Sequence, residues 1–225
     1  MKEKINFLES RLYPVFFMVI LSAILTLILA FSYQLSKGRV EMYQELRLQI
    51  NLLSLFKSEI PELNDEVIKE NNPETMNELY SKYLVSKTLE NRPDYQYFEF
   101  VDKGNTSGYV FPVSAKGLWS TIKLLVAIDT EFDKYLGIKI IIQGETPGLG
   151  ARITENWFQE QFTGKGFRRG DGFNKLQLIE ENGNPKADQI LQITGATVSS
   201  KAIVSGIQHD LEILYKQNFS SAKVN

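Results

Sequence analysis

The stretch TIKLLVAIDTEFDKYLGIKIII, residues 121–142, decides the fold. Two runs rich in β-branched and apolar residues, Thr121 to Ile128 and Tyr135 to Ile142, flank the polar segment Asp129 to Lys134. Runs of that length and composition are strands, and a short polar connection between them is a turn. Working towards the N-terminus, Gly108 to Val113 and Tyr95 to Val101 read as two more strands, the second after the turn signal Asn91-Arg92-Pro93-Asp94. Towards the C-terminus, Ile153 to Phe162 reads as a helix anchored by Trp157, Phe158 and Phe162, followed by the Gly- and Arg-rich loop Gly164 to Gly172. Leu176 to Ile179 and Ile190 to Ile193 are short strands. The last element, Thr197 to Phe219, carries Ile203, Ile207, Leu211 and Leu214 at helical spacing. The class is α+β: a mainly antiparallel sheet with helices packed on one side.

Composition closes many routes to chemistry. The 225 residues are 43% hydrophobic and 23% charged, enough apolar material for a packed core. Lys and Arg total 25 against 27 Asp and Glu, so there is no basic surplus and no case for a nucleic-acid partner. Without a cysteine, thiolate nucleophiles, disulfides and Cys-ligated metals or clusters are excluded for this chain. His209 is the one histidine, and it reads as a surface residue of the last helix with no role. No G-x-G-x-x-G follows a strand, so nothing here reads a dinucleotide.

Before the sheet comes a different kind of sequence. Leu12 to Ser36 is 25 residues without a formal charge, dominated by Val, Ile, Leu and Phe and flanked by Tyr13 and Tyr33. About 20 such residues span a bilayer core as a helix. This is longer than the apolar core of a cleaved signal peptide, so an uncleaved anchor in contact with membrane lipid is expected. Lys2, Lys4 and Arg11 on one flank balance Lys37, Arg39 and Arg47 on the other, so charge alone sets no orientation. From Arg39 to Phe56 an apolar pattern at three- and four-residue spacing reads as a helical stalk closed by Pro61, and Met76 to Leu84 as another short helix. Arg168 and Arg169 read as a solvated loop, or as a contact to a partner subunit or to lipid head groups.

Two short motifs carry chemistry. In Ile193-Thr194-Gly195-Ala196-Thr197-Val198-Ser199-Ser200 a strand passes through small residues into a helix. The first N–H groups of a helix lack partners and sit at the positive end of its dipole, so the motif suits a phosphate-sized anion as well as it suits a plain N-cap. Gly144-Glu145-Thr146-Pro147-Gly148-Leu149-Gly150 follows a strand as a tight, backbone-exposed loop, in which Glu145 and Thr146 can meet polar groups of a ring system.

In this order and spacing, Glu-Thr-Pro-Gly-Leu-Gly and then Thr-Gly-Ala-Thr before a helix resemble the FMN-binding domain family. Its members include the NqrC subunit of the sodium-translocating NADH:quinone oxidoreductase and the RnfG subunit of the related Rnf complex. Gly117-Leu118-Trp119-Ser120 is similar to the segment that precedes the first motif in NqrC. The family pattern usually has an Asp three residues before the first Ser/Thr, where this chain has Leu191. The resemblance implies FMN attached by a flavin transferase through a phosphoester to the last Thr of the motif, Thr197. It implies a cofactor site of Trp119, Glu145, Thr146, Gly148, Leu149, Gly150, Thr194, Gly195, Ala196, Thr197 and Ser199, with Trp119 as the stacking side chain. The organisation it implies is a cytoplasmic N-terminus (1–11), a transmembrane helix (12–36), a stalk with packing helices (37–94), an FMN-binding domain (95–219) and a tail (220–225). The chain would be a single-pass protein of the bacterial inner membrane with its flavin domain on the extracytoplasmic side. It would pass electrons among the other membrane subunits of a sodium-translocating NADH:quinone oxidoreductase. The alternatives are the RnfG subunit of an Rnf-type ferredoxin:NAD oxidoreductase, an anchored module that holds FMN without turnover, and a stand-alone extracytoplasmic reductase.

Overall fold

The computed structural model describes residues 13–170 and 172–219. The expected cytoplasmic residues 1–11, Leu12 and the tail 220–225 lie outside the described residues. The chain divides into two compact units, Met1–Glu45 and Leu46–Asn225.

The first unit holds most of α1 (Tyr13–Ser54), a 42-residue helix of about 63 Å at 1.5 Å per residue. Every side chain from Pro14 to Glu45 is exposed, including the large apolar ones from Val15 to Leu35. A helix that is apolar all round and unpacked is one whose solvent is lipid, and α1 is long and apolar enough to cross a membrane. Two of its hydroxyls bond back to the helix: Ser22 Oγ donates to Val19 O at 2.9 Å and Thr26 Oγ1 to Ser22 O at 2.8 Å. No polar group on them is left bare for hydrocarbon. The helix runs on past Ser36, so the expected stalk and the apolar segment are one element.

In the second unit five strands form an antiparallel meander, β1 (Leu84–Leu89), β2 (Arg92–Asp102), β3 (Asn105–Lys116), β4 (Thr121–Asp129) and β5 (Tyr135–Ile142), in that order across the sheet. β1 and the start of β2 precede Tyr95, so the sheet begins earlier than expected. β1 was not legible because its four middle residues, Val85 to Thr88, are exposed, and the strand lacks an apolar stripe.

Helices cover both faces of the sheet, not one. In β4, Ile122, Leu124, Val126 and Ile128 pack with Ile203, Val204, Ile207, Leu211 and Leu214 of α5 (Thr197–Leu214). The alternate residues Leu125 and Ala127 join Leu52, Leu53 and Phe56, Met76 of α3 (Pro73–Tyr83), and Phe98 and Phe100 of β2. A strand buried on both faces reads as a continuous apolar run, as β4 does, and this overrides the one-sided expectation. α2 (Asp65–Glu70) is capped by Asn64, and α3 by Asn72 with Pro73 in its first turn.

Between β5 and α5 the chain makes a 3-10 turn (Gly150–Thr154), α4 (Asn156–Glu160), the two-residue pair β6 (Arg168–Arg169) and β7 (Gly172–Phe173), and the parallel pair β8 (Gln177–Ile179) and β9 (Gln189–Leu191). The helix expected over 153–162 is thus split. α5 ends in a π turn, Tyr215–Phe219. Gly206 of α5 lies so close to β3 that a β-carbon there would stand 2.8 Å from that of Ala115. This contact lays α5 across the sheet beside the β3–β4 turn.

Candidate functional site

α5 starts without a cap. Ala196 occupies the cap position and, among the described residues, no side chain caps the N–H groups of the first turn. The first N–H to bond back is that of Ser200, to Ala196 O at 2.9 Å. The N–H groups of Thr197, Val198 and Ser199 precede it and are open to an external acceptor at the positive end of the helix dipole. Gly195 makes the approach, with φ +77°, a conformation that favours glycine.

Three hydroxyls cluster at this terminus, and burial separates them. Ser200 is fully buried and its Oγ accepts from Ile193 N at 3.1 Å. Ser199 is 2% exposed and its Oγ donates to Glu145 at 2.6 Å. Thr197 is exposed, and among the described residues its hydroxyl has no hydrogen-bond partner. One nucleophilic oxygen therefore faces outward from a terminus that attracts anions.

Glu145 lies beneath. It is 5% exposed. Its Oε1 accepts from Trp119 N at 3.0 Å and Ser120 N at 3.2 Å, and its Oε2 from Leu118 N at 3.1 Å and Ser199 Oγ. Burial alone would raise its pKa, but the bonds from Ser199 and the three backbone amides outweigh burial and hold it below the ordinary glutamate value. The turn it grips, Gly117 to Ser120, closes on itself through Gly117 N to Ser120 O at 2.9 Å. It is tied to the next loop by Gly144 N donating to Ser120 Oγ at 2.8 Å.

Around Thr197 the surface is apolar. Trp119 is 73% exposed, and Leu118, Leu149 and Val198 are exposed large hydrophobics as well. They line a cleft of about 440 Å³ together with Glu145, Thr146, Gly150, Gly195, Ala196, Thr197 and Ser199. Bare backbone donors at one end and an apolar wall with one free tryptophan are what a flat aromatic ligand bearing a phosphate needs.

Nine of the eleven expected site residues line this cleft: Trp119, Glu145, Thr146, Leu149, Gly150, Gly195, Ala196, Thr197 and Ser199. Gly148 and Thr194 do not. Gly148 turns the loop with φ +75°. Thr194 is held away, its N–H donating to Glu181 Oε2 at 2.7 Å. Thr194, through side chain and backbone, and Arg152, at 3.0 Å, draw the Glu181 pKa down to about 2. The carboxylate of Glu145, expected to meet a ring, is turned to the protein. Leu118 and Val198 line the cleft although sequence reasoning did not single them out. Both stood inside quoted motifs, but only the fold reveals which apolar side chains stay in solvent. His209 is exposed as expected. Arg168 is less free than expected: its guanidinium lies 4.7 Å from the centre of the Tyr215 ring and donates to Glu131 O at 3.3 Å.

Residues 117–212 match the model of the FMN-binding domain. This stretch belongs to the FMN-binding domain family. The match begins at the turn gripped by Glu145 and ends within α5, so it contains every residue of the cleft. The G subunit of a proton-translocating ferredoxin:NAD+ oxidoreductase complex from Clostridium ljungdahlii is 38% identical over 111 residues, 49% of this chain and 55% of that protein. The G subunit of an ion-translocating oxidoreductase complex from Methanosarcina acetivorans is 27% identical over 202 residues, 89% of this chain and 92% of its own. The C subunit of a Na+-translocating NADH-quinone reductase from Neisseria meningitidis is 32% identical over 102 residues, 45% of this chain and 40% of its own. The chain thus spans about half the length of the clostridial and neisserial relatives. Among solved structures, the C subunit of the Na+-translocating NADH-quinone reductase of Parabacteroides distasonis superposes with a TM-score of 0.57, covering 77% of this chain and 92% of its own at 21% identity. That likeness establishes a shared fold.

Proposed function

We propose that this chain is a membrane-anchored electron carrier that holds FMN through a phosphoester to Thr197, as one subunit of an ion-translocating oxidoreductase complex. One observation carries the reading: of the three hydroxyls at the uncapped start of α5, Thr197 alone is exposed and unpartnered among the described residues, and it opens onto an apolar cleft with a solvent-exposed tryptophan. The residues fit the group. The N–H groups of Thr197, Val198 and Ser199 would face the phosphate, and Trp119, Leu118 and Leu149 the ring. Loading forms a bond from Thr197 Oγ to the flavin phosphorus and breaks that phosphorus's bond to the leaving group of an activated flavin donor. The hydroxyl proton is released. A flavin transferase is the inferred partner for this step. When bound, the cofactor accepts and donates electrons. The chain's own part is to tether it, to offset the phosphate charge at the dipole end of α5 and to keep water from the ring with apolar side chains. Attachment through phosphate leaves the ring chemically unaltered, and no general base is required for electron passage.

Two kinds of complex are in view. The alignment with the clostridial G subunit supports a ferredoxin:NAD+ oxidoreductase. The Gly117-Leu118-Trp119-Ser120 turn supports a sodium-translocating NADH:quinone oxidoreductase. Copurifying partner proteins discriminate, together with paired assays: NADH with quinone, and reduced ferredoxin with NAD+. In either case α1 is inserted in the bacterial inner membrane and the flavin domain faces away from the cytoplasm. Protease added outside spheroplasts should then degrade the domain.

The reading is tested by making the full chain with a flavin transferase and viewing a denaturing gel under ultraviolet light. Wild type should fluoresce at the chain's mass and Thr197→Ala should be dark. A fluorescent Thr197→Ala band would overturn it.

A further inference from the structure

Glu145 is the one buried carboxylate of the cleft, and its bonds join three separate segments, its own included. Its own backbone sits in the loop after β5. Its oxygens take the N–H groups of Leu118, Trp119 and Ser120 in the β3–β4 turn and the hydroxyl of Ser199 in the first turn of α5. Two glycines make room for it. A β-carbon at Gly117 would stand 2.6 Å from Glu145 Oε1, and one at Gly150 would stand 2.8 Å from Glu145 Cβ and 2.7 Å from Ser199 Oγ. Neither position tolerates a side chain while the carboxylate stays where it is. The turn carries Trp119 73% exposed. Its backbone bonds to Glu145 fix the turn from which that indole enters the lining of the cleft that Thr197 shares.

We propose that Glu145 is a positioning residue that locks the Trp119 turn to the start of α5, and so sets both the place and the electrostatic surroundings of whatever ring enters the cleft. This deepens the FMN reading and rests on it for the cofactor. The lock itself is a property of the chain alone. A carboxylate that accepts four donors stays ionised at neutral pH. Its negative charge, beside the cleft and shielded from water, opposes the addition of electrons to a bound ring. Removing the charge should therefore make reduction easier.

The test uses the full-length chain in detergent, with Glu145→Gln and Glu145→Asp. Gln keeps the shape, but its NH2 must face a protein N–H where Oε2 received one. Asp keeps the charge and is one methylene too short to reach all four donors. In the flavin-free protein, amide hydrogen exchange at residues 118–120 should accelerate by at least about tenfold in both variants, because bonds to a charged acceptor are among the stronger ones. In the flavin-loaded protein, Glu145→Gln should shift the midpoint potential to a more positive value. Glu145→Asp should shift it less, although its turn is equally loose. That split separates charge from scaffolding, which a merely structural role would not do. Unchanged exchange at 118–120 in either variant, or equal potentials in wild type and Glu145→Gln, would overturn the proposal. If Glu145→Gln does not fold, Gly117→Ala reaches the same contact from the other side. It should loosen the same amides with Glu145 in place, and unaltered exchange there would overturn the lock. Wild type that never acquires flavin would sink the FMN reading, while the exchange experiment would still decide the lock.

Discussion

The two ends of α5 spend their aromatic residues in opposite ways. At the C-terminal end Phe132 stacks or tilts against Tyr109, Phe111, Tyr215 and Phe219, with ring centres 4.7–6.1 Å apart. The nearby cations are also engaged, Arg168 over Tyr215 and Lys216 over Phe173. At the N-terminal end Trp119 stands 73% exposed among other exposed apolar side chains, and three backbone N–H groups have no acceptor among the described residues. The first end is built for stability. The second holds what a finished core would never leave open, and such an arrangement marks a surface completed by a ligand. Burial therefore tells more than composition does: the same residue types are structural at one end and functional at the other.

Substitutions sharpen this contrast. The largest effect belongs to Thr197→Ala, which should remove covalent flavin completely and leave the urea midpoint unchanged, since the side chain is exposed and unpartnered. At the opposite end Phe111→Ala should do the reverse. It empties a fully buried site between Tyr97, Tyr109 and Phe132, and should cost about 3–5 kcal/mol in urea unfolding with the acceptor hydroxyl intact. Flavin loss without destabilisation in Phe111→Ala would break the comparison.

Acid should act at the N-terminal end, as it also should at Glu62, whose pKa the bonds from Lys82 and Tyr83 draw down to about 2. Glu145 and Glu181 both have folded pKa values depressed below the ordinary 4.5. Their stabilisation is fully present above about pH 4.5, where both states are ionised. As pH falls below that value the unfolded chain takes up protons first, and stability declines until the folded pKa values are passed. Glu145→Gln should flatten this acid limb in a plot of urea midpoint against pH. A limb identical to wild type would mean that Glu145 is not held as described. Trp119→Ala should also leave stability nearly untouched, within about 0.5 kcal/mol of wild type as for other exposed positions. The same change should brighten flavin emission, because the stacking partner is gone. A large loss of stability would show that Trp119 packs.

How much of this was legible in the sequence follows from which interactions are local. β4 and β5 could be read because each is a dense apolar run bounded by a polar turn. β1 could not, because an edge strand with Val85, Ser86, Lys87 and Thr88 in solvent lacks a periodic signal. The helix cover on the second face was hidden because residues 46–56 meet β2 and β4 across long chain separations. At the site, the strand-to-helix motif at 193–200 was plain. The choice among Thr197, Ser199 and Ser200 rests on burial, which the string does not carry. The role of Glu145 was missed for the same reason: its donors lie 25–27 and 54 residues away.

The most direct test is the intact mass of the full chain made alongside a flavin transferase, followed by fragmentation of the peptide that contains residues 193–200. The account predicts a mass increased by FMN less one water, located on Thr197, and the bare polypeptide mass for Thr197→Ala. A bare wild-type chain, or the same added mass on another residue, would contradict it.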